Sequence, residues 1–271
     1  MARVERPAWA PEGIDLTRPS AARVYDFYLG GFHNFAVDRE MGRQALALWP
    51  ELPQIMRANR AYLRRAVRYA AAAGIRQFLD IGSGIPTAGN VHTVAQRAVP
   101  HARVVYVDND PVAVAHSRAI LGDDPRTAVI QADLRRPGEM LRHPDLVGLL
   151  DLSEPVGVLM VAVLHFVADE DDPYVAVARI RDALAPGSLL AISHATHDGQ
   201  PELTSSHQTL YRRTATPMTM RSRDAVGGFF DGFELVEPGL VYMARWRPDP
   251  GEDLGDHPER YPAWVGVGRR S

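Results

Sequence analysis

The segment Phe78-Leu79-Asp80-Ile81-Gly82-Ser83-Gly84-Ile85-Pro86 constrains the fold of this chain more than any other. An apolar run ending in an acid and two glycines reads as a buried strand followed by a turn in which backbone can touch a ligand. Val104-Val105-Tyr106-Val107-Asp108, whose acid stands 24 residues after Gly84, reads as a second strand ending in a carboxylate that can hold a ribose diol. Together the two strand ends describe a nucleoside-binding half of an α/β fold.

Three features narrow the nucleoside. A dinucleotide site wants a third glycine for close helix packing and a pyrophosphate at the helix N-terminus, and here the third position is Thr87. Asp80 would repel a pyrophosphate but could receive a cationic amino-acid group directly or through water. A third acid ends the next apolar segment, Ala128-Val129-Ile130-Gln131-Ala132-Asp133, where it could accept an adenine amino group. Acid and glycine turn, then acid, then acid, each at a strand end, resembles the class I S-adenosylmethionine-dependent methyltransferases over residues 75 to 195.

That resemblance implies an α/β, Rossmann-like sheet of seven strands in the order 3-2-1-4-5-7-6, with S-adenosyl-L-methionine as cofactor. It implies that Gly82, Ser83 and Gly84 form the cofactor loop, that Asp108 binds the ribose with Asn109 beside the adenine, and that Asp133 and Leu134 meet the adenine amino group and ring face. Ala162 and Val163, at the fourth strand end, would line the channel between sulfonium and acceptor.

Composition removes other chemistries. The chain has no cysteine, which excludes disulfides, thiolate metal sites and a cysteine nucleophile. All 30 basic residues are arginine, so a Schiff base, a phosphate-loop lysine and a Tyr-x-x-x-Lys dyad are also excluded. A net charge of −3 gives no general reason to expect nucleic acid or an anionic membrane as partner. The start of the chain lacks the apolar core of a secretion signal, and the longest apolar segment, Val156 to Ala168, contains His165 and is too short to span a bilayer. A soluble, cytoplasmic protein with a small-molecule acceptor is the expectation.

Residues 1–74 read as an N-terminal helical cap, with helices over 20–29, 39–48 and 52–73, and residues 75–271 as the cofactor-binding domain. From Gln77 apolar strands alternate with helices, the mark of a parallel sheet. Strands are expected near 77–81, 103–108, 127–131, 156–163, 188–193, 233–236 and 263–269. Helices are expected near 87–98, 111–120 and 172–185, with short helices near 137–143 and 224–230. A polar insert near 194–223, holding Pro201 and Pro217, reads as a helix and loop beyond the carboxyl edge of the sheet.

Several side chains carry two readings. Asp110 before Pro111 has the ordinary explanation of a helix N-cap. Asn90 is either a helix-surface residue or a ligand to the cofactor's amino-acid end. His165 either caps the fourth strand or meets substrate. His194 and His197 follow the fifth strand, and with His165 they form a general base, a metal site or three unrelated loop histidines. His165 and His194 are the candidates for catalysis, and no metal is expected.

The stretch from Asp15 to Arg39, dense in polar aromatic and charged residues, resembles an actinobacterial branch of S-adenosylmethionine methyltransferases first catalogued as a domain of unknown function. Arg57-Ala58-Asn59-Arg60, Leu164-His165-Phe166-Val167 and Val265-Gly266-Val267-Gly268-Arg269 extend that resemblance over nearly the whole chain. It implies a cap closing over the cofactor, with Tyr25, Gly31 and Phe35 at the pocket and Arg60 on the methionine carboxylate. Two rival readings remain: a regulatory protein that binds the cofactor without methyl transfer, and a nicotinamide-dependent oxidoreductase on a similar sheet, disfavoured by Thr87 and the missing lysine.

Overall fold

The computed structural model describes residue 10 and residues 14–86, 89–251 and 256–271; Thr87 lies outside the described residues. Three helices come first, α1 (Ala21–Tyr28), α2 (Ala36–Leu48) and α3 (Leu52–Ala72). An alternating α/β unit follows: β1 (Gln77–Ile81), α4 (Val91–Ala98), β2 (Arg103–Asp108), α5 (Pro111–Leu121), β3 (Thr127–Gln131), α6 (Pro137–Leu141), α7 (Pro144–Leu149), β4 (Gly157–Val161), α8 (Pro173–Ala183) and β5 (Leu189–Ala195). The chain ends with α9 (Pro201–Tyr211), α10 (Arg223–Gly227), β6 (Phe233–Leu235), β7 (Val241–Tyr242) and β8 (Ala263–Arg270).

The sheet runs β3-β2-β1-β4-β5-β8-β6, parallel from β3 to β5 and antiparallel where β8 meets β5 and β6. This is the expected order with one strand more, because the two-residue β7 pairs with the start of β8 and shifts the numbering. β4 is also shorter than the apolar run predicts. The chain leaves it at Ala162, whose φ of 61° no strand can hold.

Strand side chains alternate between two cores, as the two-residue period of a strand requires. Phe78, Val104, Tyr106, Leu159 and Ala191 face a core shared with α1, α2, α3, α4 and α5. Leu79, Ile81, Val105, Val107, Met160 and Ile192 face a second core built with α6, α7 and α8. Asp80 follows the parity of Phe78, and Asp108 that of Tyr106, so both acids sit on the α3 side at the carboxyl ends of adjacent strands. Both α5 and α8 begin with Pro and are entered from an aspartate, and Asp110 caps α5 by accepting the Val112 N–H at 2.8 Å.

Candidate functional site

The strand ends and the turn after β1 are locked together by backbone. Gly82 and Ser83 both donate to the Val107 carbonyl, at 2.8 and 3.1 Å, which folds the turn against β2. Gly82 has a φ of +70°, and a Cβ there would lie 2.3 Å from Val163 Cγ2. Gly84, at φ +64°, has open space where its Cβ would be. Both positions therefore need glycine, one for packing beneath the turn and both for the left-handed backbone.

Asp108 is fixed from both sides: its Oδ2 accepts from Gly84 N–H at 2.7 Å and its Oδ1 from Asp110 N–H at 2.8 Å. Burial pushes its carboxyl up to about 6, against the opposing pull of those two N–H groups. Asp80 is also buried, with no hydrogen bond to its carboxylate among the described residues. Burial raises it to about 7, Arg60 opposes that rise, and the nearby Asp108 adds to it. Two carboxyls held high by desolvation, without a compensating ion pair on either, form a site prepared for a cationic and hydroxyl-bearing ligand.

The glycine turn and Asp108 open on a cleft of about 440 Å³, lined by the expected Tyr25, Arg60, Gly82, Ser83, Gly84, Asp108, Asn109, Asp133, Leu134, Ala162 and Val163. Three expected cofactor residues do not line it. Asp80 is buried next to the cleft without reaching its wall. Gly31 packs on Asp26, whose carbonyl accepts its N–H at 2.9 Å and whose Oδ1 would be only 1.9 Å from an added Cβ. Phe35 is buried with Ile85, Val112 and Ala113 under the Arg23 guanidinium, 5.1 Å from its ring, so it backs the glycine turn through Ile85 instead of facing the cleft.

The histidines separate in the same way. His194 is fully buried, with Nδ1–H donating to the Ala195 carbonyl and Nε2 accepting from Arg221 Nη1, both at 2.8 Å. Burial holds it neutral, down to about 3, and its one lone pair is already engaged, so it has no free site for a substrate proton. Arg221 in turn binds Asp169 and the carbonyls of Leu164 and Val167, making a buried post beneath the β4 and β5 ends. His165 accepts the Ala195 N–H on Nδ1 at 3.3 Å, which leaves the proton on Nε2, and burial depresses its pKa well below the usual imidazole value. His197 is half-exposed beside Asp198. Among the described residues no group of three histidines and acids could hold a metal ion.

The unpartnered atoms test what the cleft would hold. Ser83 Oγ, Arg60 Nε and Asn90 Oδ1 are buried with no hydrogen-bond partner among the described residues. Buried polar atoms left so are costly, about 1–3 kcal/mol each. Ser83 and Arg60 are donors at the glycine turn, matched to a carboxylate, and the nearby Asp80 matches an ammonium. An amino-acid end fits there, with a ribose at Asp108. Asp133, at the far side, is held by Arg135 through both carboxylate oxygens; burial raises its pKa but the Arg135 hydrogen bonds outweigh that and hold it low. The flat Arg135 guanidinium also lines the cleft.

The cap reaches the site through contacts that sequence reading did not anticipate. Ser20 Oγ donates to Asp110 Oδ2, and Ser20 N–H to Asp38 at 3.0 Å. Arg23, buried, bonds Asp38 at 2.9 Å and approaches Asp110 at 3.6 Å, tying α1 and α2 to the residue that follows Asp108-Asn109. A second chain of bonds runs from Ser193 Oγ–H to Asn59 Oδ1 at 2.6 Å and from Asn59 Nδ2–H to Tyr25 Oη at 3.0 Å, with Tyr25 donating to the Met56 carbonyl. Asn59 had a legible signal: it is an amide between Met56 and Leu63 on the buried stripe of α3. The insert closes the edge where Arg18 donates to the Thr214 carbonyl at 3.1 Å and Ala215 N–H to the Pro19 carbonyl at 3.2 Å.

Comparison with known proteins agrees with this geometry. A family model described as S-adenosyl methyltransferase matches residues 7–271. The fold superposes on that of a DUF574 family protein from Streptomyces avermitilis MA-4680, with 41% identity, a TM-score of 0.91, and coverage of 95% of this chain and 99% of that one. It superposes equally on a proposed methyltransferase from Thermobifida fusca YX, 42% identical with a TM-score of 0.92, covering 98% and 100%. Against a curated protein, the ribosomal RNA small subunit methyltransferase H of Halorhodospira halophila, the likeness is 35% over 63 residues, 23% of this chain and 19% of that protein. No helix among the described residues is long and apolar enough to cross a membrane. With a match that spans nearly its whole length and a cleft whose free donors and acids fit an amino-acid end and a ribose, the chain belongs to the S-adenosyl methyltransferase family, and its cofactor is S-adenosylmethionine.

Proposed function

We propose that the protein transfers the cofactor's methyl group to a small-molecule acceptor. The observation that carries this reading is the roof over the strand ends. Helix α1 and residues 214–216 meet above the cleft through the Arg18–Thr214 and Pro19–Ala215 bonds, and the Ser193–Asn59–Tyr25 chain closes the side next to Ala162. A roofed site suits an acceptor that can be enclosed whole, and enclosure excludes water from a reactive sulfonium.

In this reading Ser83 and Arg60 hold the methionine carboxylate, Asp80 receives its ammonium through water from just beyond the cleft wall, Asp108 holds the ribose, and Asp133 with Leu134 the adenine, beside Asn109. Residues 1–74 serve as the cap. When bound, S-adenosylmethionine would supply an electrophilic methyl carbon: the acceptor's lone pair forms the new bond, the C–S pair leaves on sulfur, and the methylated acceptor loses its proton to bulk solvent on release. The chain's own part is positioning and desolvation, which suffice for a leaving group this good. His165 offers an N–H for orientation and His194 serves the Arg221 post.

The test is to incubate the purified protein with methyl-labelled S-adenosylmethionine and a cell extract divided into small-molecule and macromolecular fractions. Label is expected in the small-molecule fraction. Label confined to protein or RNA would overturn the reading.

A further inference from the structure

Behind Ala162 the cleft leads into a second chamber, of about 70 Å³, and the two share Ala21, Tyr25, Asn59, Ala162 and Phe166. The mouth is therefore at the end of β4, where a non-glycine residue is held at φ 61°. Such a conformation is strained and persists only where surroundings over-determine it. Beyond the mouth the walls are mainly methionine and aromatic, Met56, Met218, Met220 and Met243 with Trp49 and Tyr211, and the polar His165 and Ser193 line them next to the mouth.

Two properties restrict the occupant. No arginine, aspartate or glutamate lines the chamber, so a charged group there would be desolvated without a partner. Methionine against aromatic walls favours a flat ring and adapts to it, and the volume is below the roughly 150 Å³ of a cavity that admits benzene. At about 70 Å³ the chamber is under half that size, so even one small ring enters only when the flexible methionine side chains of its walls shift aside, and nothing larger fits.

The third observation is His207, on α9. It is buried at 4% exposure and lines the chamber away from the mouth, between Trp49 at 5.7 Å and Tyr211 at 4.8 Å ring to ring. Neither ring nitrogen has a hydrogen-bond partner among the described residues. Burial keeps the ring neutral, down to about 4, so it presents one N–H and one lone pair to whatever enters. Trp49 and Tyr211 surround it with apolar surface, and nothing else among the described residues accounts for an imidazole there.

We propose that this chamber is the methyl-acceptor site and takes a neutral, single-ring aromatic compound bearing two polar substituents, one a hydroxyl or amino nucleophile placed at the Ala162 mouth and the other hydrogen-bonded to His207. The inference rests on the methyltransferase reading above and adds the acceptor class. His207 binds the ring's far substituent; it does not touch the reacting atom.

Saturation-transfer NMR on the full chain, loaded with S-adenosylhomocysteine, tests it with resorcinol and 3-aminophenol as probes, m-cresol as the ring lacking the second polar group, and benzoate as the charged ring. The two probes should bind at least about fivefold more tightly than m-cresol and lose that advantage in His207→Leu, while benzoate should not bind. Met218→Trp, which fills the chamber, should abolish all binding. In both variants the affinity for S-adenosylmethionine should stay within about twofold of wild type, which shows that they fold. Equal binding of resorcinol and m-cresol, or probe binding indifferent to both substitutions, would overturn the chamber assignment with the methyltransferase reading intact. Failure of the wild-type protein to bind S-adenosylmethionine would remove the parent reading, and the acceptor site with it.

Discussion

The N–H of Gly84 donates to Asp108 at 2.7 Å, so the glycine turn after β1 and the acid that ends β2 form one hydrogen-bonded unit. The bond explains how a carboxylate buried to 7% exposure stays in place while each of its oxygens keeps lone-pair capacity toward the cleft. Asp108→Asn keeps one acceptor but turns an NH₂ toward one of the two backbone donors. The affinity for S-adenosylmethionine should fall about 30-fold, ~2 kcal/mol, through the lost charge-assisted bonds. Calorimetry on a variant with native circular dichroism reads this directly; an unchanged affinity would mean that Asp108 does not hold the ribose.

The raised acids give a pH dependence of definite sign. Burial lifts Asp80 to about 7 and Asp108 to about 6, while the contacts proposed for them with the cofactor need both ionised. Binding should weaken as pH falls from 8 to 5, by up to tenfold per unit for each carboxyl below its own pKa. For stability the sign reverses. A carboxyl raised in the folded state stabilises below its unfolded pKa, near 4, and loses that contribution as pH rises through 7. Asp80→Asn should therefore be more stable than wild type to urea at pH 8, by a margin that shrinks towards pH 5, and should bind cofactor less well.

The two turn glycines should separate packing from binding. Gly84→Ala meets only the left-handed backbone cost, of order 1–2 kcal/mol, but its methyl enters the open side of the turn and should lower cofactor affinity. Gly82→Ala adds the 2.3 Å contact with Val163 and should be the more destabilising of the pair in chemical denaturation. Equal losses of stability would contradict the packing assigned to Val163.

Arg23 is the bolt of the cap. Its removal in Arg23→Met leaves Asp38 fully buried without its ion pair, held only by the Ser20 and Phe35 N–H groups, a change that typically costs about 3–5 kcal/mol. Burial already raises the Asp38 carboxyl, with Arg23 as the main opposing charge. Hydrogen exchange should show faster opening of residues 20–36, and the double variant Arg23→Met with Asp38→Leu should recover part of the loss. In the intact protein the same amides should gain protection when cofactor is added; indifference there would make the cap purely structural.

What was legible in the sequence followed from strand chemistry. Parallel strands buried on both faces must be continuous apolar runs, so β1 to β5 stood out, and an acid closing such a run has few reasons to exist other than a ligand. The two-residue β7 and the short α7 carry too little pattern to register. In the cap, density of aromatic and charged residues signalled involvement but not direction: Tyr25 lines the cleft whereas Phe35 turns into the small core beneath Ile85. Arg23 and Asp38, 15 residues apart, look like surface charges until folding buries them together. His194 looked available because nothing local announces Arg221, 27 residues on, as the partner of its lone pair.

The most direct test of the whole account is isothermal titration of the purified, full-length protein with S-adenosylmethionine and, separately, with NAD. The arrangement of Asp80, Ser83, Arg60 and Asp108 predicts saturable binding of one S-adenosylmethionine per chain, in the micromolar range common for enzyme substrates, and no heat of binding from NAD. Tighter binding of NAD than of S-adenosylmethionine would contradict the reading of the cleft.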